Sequence, residues 1–280
     1  MRNAFGGAWT QDKLLRLNKY LRAYTTIFKG NPQARYFTTI YVDAFAGTGR
    51  IEHSPGGNTK GSAQIALEVE PSFDNYLFIE RSKGRCRDLE RLKLDYPGKA
   101  NSIQVVNAEA NEYLKDWCVT VDWSRTRAVL FLDPFGMQVE WSLLEAIAET
   151  HSIDVWLLFP SGMGVNRLLT RNEPPPEAWA ARLTKVLGTD DWLKEFYPSR
   201  TEATLFGDVE HQSKDADYDK IAAFFVTRLK TIFTGVAENP LLLKTPTKNV
   251  PLFLLCFATG SRKESARKAA LRIAKDILKR

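Results

Sequence analysis

Five apolar or β-branched runs alternate with helix-like stretches between residues 36 and 159, and this alternation constrains the fold more than any other feature. The runs are "YFTTIYVDAF" (36–45), "NYLFIE" (75–80), "SIQVVNA" (102–108), "RAVLFLD" (127–133) and "IDVWLLF" (153–159). Between them lie "AQIALEVE", the basic stretch 82–95, "EANEYLKDW" and "WSLLEAIAET", all of helical period. Strand and helix in repeated alternation predict an α/β fold with a doubly wound, mostly parallel sheet. "RAVLFLD" has no polar residue inside the strand, which suits the centre of a sheet covered on both faces.

The flanks complete the plan. Residues 10–29 place Leu14, Leu17, Leu21, Tyr24 and Phe28 at helical spacing, with Thr10 as the expected N-cap. "HSPGGNTKGS" (53–62) reads as a loop by composition. After residue 160 the alternation breaks at "RNEPPPEAW", and residues 161–235 read as a helical insertion with a polar connector near "GDVEHQSKDADYD". "NPLLLKTP" and "VPLFLLCFATG" follow as two strands joined by a short turn, hence antiparallel. A basic helix, 262–280, closes the chain, with Ala266, Ala270, Ile273 and Ile277 as its expected buried face. The expectation is one domain over residues 1–280.

Composition narrows the function classes. No run approaches the ~18 apolar residues of a membrane-spanning helix, and "MRNAFGGAWTQDK" has no apolar signal-peptide core. Cys86, Cys118 and Cys256 are far apart, as are the three histidines, so no metal site is expected. Few, scattered cysteines suit a reducing, cytoplasmic setting. The net charge of +6 is compatible with a polyanionic partner such as nucleic acid, and equally with none.

Ligands of an open α/β sheet sit beyond the carboxyl ends of the strands. Asp43 ends the first strand, and Phe45, Ala46, Gly47, Thr48 and Gly49 form the turn after it. Glu80 ends the second strand, where it can accept from ribose hydroxyls, and Glu109 follows the third, near where an adenine amine would lie. A P-loop needs Gly-Lys-Ser/Thr, which "AGTGRIE" lacks; a nicotinamide site needs a third glycine where Glu52 stands. An acid before the turn repels a pyrophosphate and suits a cation. S-adenosylmethionine, with a sulfonium, an ammonium and no phosphate, is therefore favoured. The bland alternative is a structural turn with Asp43 as a local cap, and Glu109 as a solvated acid at a helix start.

"FLDPFG" (131–136) ends the fourth strand. Asp133 and the Pro134 carbonyl can accept hydrogen bonds from a planar exocyclic amine, and Phe135 can stack on a base. The competing reading is a strand-to-helix turn with Phe135 as core filling. Arg167, in "MGVNR" after the fifth strand, is a candidate substrate contact or one half of an ion pair. The basic residues of 81–93 and 262–280 are candidate nucleic-acid contacts or solvated faces.

An acid with a glycine turn, a second acid and an Asp-Pro motif at successive strand ends resemble class I S-adenosylmethionine-dependent methyltransferases, whose fold is Rossmann-like. "DPFG" departs from the Asp/Asn-Pro-Pro-Tyr/Phe of most base amino-methyltransferases and is similar to that of tRNA guanine dimethyltransferases. "WTQDKLLRLNKYL", "YVDAFAGTG", "GSAQIAL", "YLFIE", "VLFLDPFG" and "IDVWLLFPSGMGVNR", in this order, resemble the three-Cys-motif partner protein family over almost the whole chain. That resemblance implies a bacterial or phage-associated methyltransferase fold working with a three-cysteine-motif, radical-SAM-like partner. Glu109 stands where such sites more often carry Asp. The resemblance also places Trp9 and Lys13 over the cofactor, unless their helix merely packs on the sheet with Lys13 solvated. A lid over residues 53–62 is a further expectation. The alternative function is a non-catalytic partner protein of the same fold; a nicotinamide oxidoreductase fits the glycine pattern less well.

Overall fold

A computed structural model describes residues 8–54, 57–204, 207–246 and 248–279. In chain order its elements are α1 (Ala8–Gly30), β1 (Thr38–Asp43), β2 (Arg50–Ser54), β3 (Gly57–Lys60), α2 (Ser62–Leu67), β4 (Asn75–Ile79), α3 (Lys83–Asp95), β5 (Ile103–Val106), α4 (Ala110–Thr120), β6 (Thr126–Leu132), α5 (Trp141–Glu149) and β7 (Ile153–Phe159). Then come α6 (Asn166–Leu168), α7 (Glu177–Leu187), α8 (Asp191–Phe196), β8 (Ser199–Thr204), β9 (Gly207–Gln212), α9 (Tyr218–Ile232), β10 (Gly235–Val236), β11 (Leu241–Lys244), β12 (Pro251–Thr259) and α10 (Glu264–Ile277).

The main sheet runs β5-β4-β1-β6-β7-β12, with β10 and β11 both on the outer edge of β12. From β5 to β7 the strands are parallel, and β12 enters antiparallel, Leu254 opposite Phe159 and Thr259 opposite Asp154. This mostly parallel sheet with an antiparallel C-terminal strand is Rossmann-like, of the class I methyltransferase type. The chain winds outward from β1 through β4 to β5, then returns to β6 on the other side. The point where the order reverses opens a crevice at the carboxyl end of β1.

Alternate residues of each strand feed two cores. Val42, Leu130, Leu132, Val155, Leu157 and Cys256 face α4, α5 and α9. Tyr41, Val129, Phe131, Trp156, Leu158 and Phe257 face α1, α2, α3 and α10. Both faces are covered, so these strands are apolar at every step rather than at every second one. Each large side chain buried here is worth roughly 1.5–3 kcal/mol.

Four local expectations change. Helix α1 is already formed at Ala8, so Thr10 lies inside it and is buried rather than capping it. The expected loop at 53–62 lies largely in a hairpin, β2 against β3, with Arg50 opposite Lys60. At its base Gly61 N donates to Gly49 O at 3.0 Å, and a Cβ on Gly61 would lie 2.5 Å from that oxygen. The lid expectation falls partly on residues 55–56, outside the described residues. The insertion carries, besides α6 to α9, the hairpin β8–β9 across the expected polar connector. On α10 the expected Ala270, Ile273 and Ile277 pack on the core half-buried, Ala274 is the fully buried residue, and Ala266 is exposed.

Candidate functional site

The turn after β1 is stitched to both neighbouring strands. Ala44 N donates to Phe131 O (3.1 Å) at the end of β6, and Ala46 N donates to Ile79 O (3.1 Å) at the end of β4. Reversing direction within so few residues requires left-handed backbone at Gly47 (φ +62°) and Gly49 (φ +74°), which glycine adopts without Cβ strain. A Cβ at Gly49 would meet Leu92 and Leu89, whereas a Cβ at Gly47 would meet nothing within 4 Å. One glycine thus serves packing and the other borders open space.

Asp43 is fully buried at the end of β1. It accepts from Phe45 N (3.3 Å) and Tyr41 OH (3.4 Å). Burial pushes its carboxyl up to about 7; the Ser62 side chain opposes this, and the negative charge of Asp133 adds to it. Tyr41 lies two residues before Asp43, on the same strand face.

Glu80 is almost buried and ties two backbones together. Its Oε2 accepts from Gly47 N (3.1 Å) and its Oε1 from Ser82 N (2.7 Å), while Arg85 lies 3.8 Å away. The acid of β4 therefore fixes the glycine turn of β1 and lines the open space beside Gly47.

Asp133 sits two residues beyond Phe131, which is the partner of Asp43 across the β1–β6 ladder. Its Oδ2 receives Lys13 from α1 in an ion pair. Lys13 is buried and lies over the Trp9 ring at 5.0 Å, and Trp9 in turn packs on Phe253 at 5.1 Å. Lys13 is thus not solvated: its charge is bound to the acid of the "DPFG" turn.

Beyond Asp133, Pro134 is buried and Phe135 is 71% exposed. Phe135 N donates to Gln138 Oε1 (3.0 Å), and Gly136 takes φ +77°. Asn111, buried at the start of α4, holds this loop from below. Its amide donates to Gln138 O (2.9 Å) and Glu109 Oε1 (2.8 Å), and its carbonyl accepts from Glu140 N (2.9 Å). From the other side Gly164, in a π-helical turn at Ser161–Val165, packs on Met137. Such turns widen a helix by one residue and often mark functional edges.

The two remaining candidates lie at the rim. Glu109 is the N-cap of α4, its Oε2 accepting from Glu112 N (3.0 Å), so its carboxylate is engaged within the protein. Arg167 is exposed on α6, directly after the π-helical turn. Asp43, Glu80 and Asp133 with Lys13 form the centre. Sequence reasoning missed Ser62, Asn111 and the pairing of Lys13; Tyr41 alone had a local signal, its strand spacing from Asp43. Among the described residues no group of three His, Cys, Asp or Glu could hold a metal, and no helix is long and apolar enough to cross a membrane.

The arrangement is an acidic strand edge with one buried ammonium and a glycine turn opening to space. It matches a cationic ligand better than a phosphate. S-adenosylmethionine fits these residues, since Gly47 leaves room beside the Glu80 carboxylate.

No protein-family model matches the sequence, and no curated protein matches it. Solved structures are similar to it in fold. A protein of Legionella pneumophila str. Philadelphia 1 from the DUF519 family superposes with a TM-score of 0.53 at 12% identity, covering 98% of this chain and 94% of that one. Spermidine synthase from Thermotoga maritima gives 0.41 at 10% identity, over 91% and 60% of the two chains. An rRNA methylase from Streptococcus thermophilus gives 0.35 at 11%, over 86% and 93%. At these identities the likeness is one of fold alone, and the last two overlap too loosely to bear on chemistry.

Proposed function

We propose that this chain is an S-adenosylmethionine-dependent methyltransferase that acts on an exocyclic amine of a nucleic-acid base. The observation that carries the reading is the placement of Asp43 and Asp133 on adjacent strand ends, close enough for one charge to act on the other, beside the Glu80–Gly47 contact. Two acids held against each other are costly unless a cation offsets them. Lys13 supplies one positive charge, and a sulfonium ligand supplies more.

S-adenosylmethionine, when bound, supplies a methyl group on a cationic sulfur. Glu80 accepts hydrogen bonds from the ribose, as its position after β4 allows. Asp43 balances the positive end of the ligand. Asp133 keeps Oδ2 on Lys13, so its Oδ1 is the acceptor for the target amine, with the Pro134 carbonyl as the second. With the cofactor held there, the fixed Asp133 carboxylate would stabilise positive charge on the amine nitrogen as the methyl passed to it from sulfur, S-adenosylhomocysteine would be the leaving group, and the amine proton would go to solvent. Preorganised charge and in-line positioning provide most of such catalysis. Phe135, exposed at the mouth, gives the base a face to stack on. Glu109, Phe45, Ala46 and Gly49 shape the cofactor side, and Arg167 lies on the substrate side.

The proposal includes a three-cysteine-motif, radical-SAM-like partner, resting on the ordered motifs of the sequence, and a cytoplasmic setting, resting on its few scattered cysteines. A second reading has one observation in its favour. Lys13 already places an ammonium on Asp133, the acid meant for the amine, which suits a non-catalytic partner protein that binds cofactor without transferring methyl groups.

Calorimetric titration of S-adenosylmethionine and S-adenosylhomocysteine into wild type and Glu80→Ala tests the first reading. Binding to wild type, weakened by about 1–3 kcal/mol in the variant, supports the nucleoside at Glu80. No binding to wild type overturns it. Binding without methyl transfer to any nucleic acid leaves the second reading.

A further inference from the structure

The net charge of the chain is +6, and its last nineteen residues, 262–280, hold eight Lys and Arg against only Glu264 and Asp276. The whole net charge therefore lies there, and the other residues balance to zero. The second basic helix, α3, is different: its cations are interleaved with Asp88, Glu90 and Asp95, and Arg91 and Lys93 pair with the first two of these.

On α10 the cations are arranged, not scattered. Lys268, Arg272 and Lys275 recur at spacings of four and three, which puts them on one helical face, Lys279 follows just past the helix end, and all four are exposed. Leu271, Ile273 and Asp276 lie among them on the same open surface. Lys268 to Lys279 spans eleven residues, about 16 Å at 1.5 Å each. The carboxylates that do pair there, Glu264 with Lys268 and Asp276 with Lys279, are exposed. Such pairs are worth about 0–1 kcal/mol and exchange readily for phosphate.

The direction of the helix gives the stripe its use. Antiparallel β12 delivers the chain to the edge opposite the acids, where Gly260 N meets Ile153 O. Helix α10 then runs back, and Arg16 binds its last carbonyls, Ile277 O and Lys279 O. Arg16 lies one helical turn from Lys13, the partner of Asp133. The cationic stripe thus ends beside the mouth of the acidic site.

We propose that the outer face of α10 is the track for a nucleic-acid backbone, holding phosphates while a base is presented at Asp133. The inference rests on the nucleic-acid part of the reading above and adds where the strand lies. Acidic protein is the competing occupant; the base amine proposed at Asp133, beside which the stripe ends, favours the nucleic acid.

The test is fluorescence anisotropy with single-stranded RNA and DNA oligonucleotides against a salt series. Wild type is compared with Lys268→Gln/Arg272→Gln/Lys275→Gln/Lys279→Gln and with the control Arg87→Gln/Arg91→Gln on α3. S-adenosylmethionine affinity, measured alongside, reports folding and the cofactor reading separately. Four phosphate contacts give a log–log salt slope of about −3 for a single strand, or about a 50-fold loss of affinity for a fourfold rise in salt. The track predicts that slope for wild type and control and a nearly flat response in the α10 variant. Equal slopes in wild type and α10 variant overturn the track and leave nucleic-acid binding elsewhere on the chain. Tighter binding of poly-glutamate than of either oligonucleotide overturns it in favour of an acidic protein. No oligonucleotide binding overturns both the track and the nucleic-acid reading, whatever the cofactor result.

Discussion

Lys13 and Asp133, 120 residues apart in sequence, form an ion pair in which the lysine side chain is 7% exposed and the aspartate 24%. Removing one partner of a buried pair leaves an uncompensated charge and costs about 3–5 kcal/mol, less where water still reaches one partner. Lys13→Met is therefore expected to lose about 2–3 kcal/mol in urea unfolding at neutral pH. The double variant Lys13→Met/Asp133→Asn recovers much of that loss, because no charge is left stranded. Equal losses in the single and the double variant would show that Lys13 contributes by packing alone.

Asp43 makes stability fall as pH rises. Unfolded, its carboxyl titrates near the ordinary value of about 3.9; folded, burial first and the charge of Asp133 second hold it up to about 7. Between these values the folded chain keeps a proton that the unfolded chain has lost. The cost is absent below about pH 4, grows through the window and is complete above about pH 7, where a three-unit shift amounts to about 4 kcal/mol. Asp43→Asn should therefore be more stable than wild type at pH 8, with the gain vanishing at pH 4. A cationic ligand pairs with the ionised form, so S-adenosylmethionine affinity rises by up to about tenfold per pH unit below 7. The Asn variant should flatten that profile; an unchanged profile would remove Asp43 from the binding site.

The two turn glycines are expected to fail differently. Alanine at either position meets the left-handed backbone penalty of about 1–2 kcal/mol. At Gly49 the new methyl also presses on Leu92 at 3.0 Å and Leu89 at 3.2 Å, adding about 1–3 kcal/mol. At Gly47 it enters open space beside Glu80. Thermal unfolding should rank Gly49→Ala below Gly47→Ala, while cofactor titration ranks them the other way. The same order in both assays would mean that the space at Gly47 holds no ligand.

The sheet was legible because its strands are buried on both faces, which leaves continuous apolar runs such as Val129–Leu132. Asp43, Glu80 and Asp133 were legible because a parallel sheet sends all its strands out at one edge, so strand-end acids converge there. The β2–β3 hairpin was hidden: a backbone contact between two glycines, Gly49 and Gly61, closes its base, and no side-chain pattern announces it. The β8–β9 hairpin was hidden for a related reason, since an isolated polar pair lacks the alternation of a half-buried strand. Lys13 was left between two readings because local pattern expects a lysine to be solvated, while its partner follows six strands later in the chain. Glu109 shows the converse, a strand-end acid drawn into capping the helix that follows it.

The grip of Arg16 on the last carbonyls of α10 also sets an order of assembly. Helix α1 emerges first during synthesis, yet one of its docking partners is made some 260 residues later. Until then the apolar stripe of α1 has only the sheet and α2 to rest on, and the face awaiting α10 stays bare. The nascent chain therefore carries an unfinished flank through most of its synthesis, a span in which a holding chaperone would find α1 and in which truncated products would be open to proteolysis.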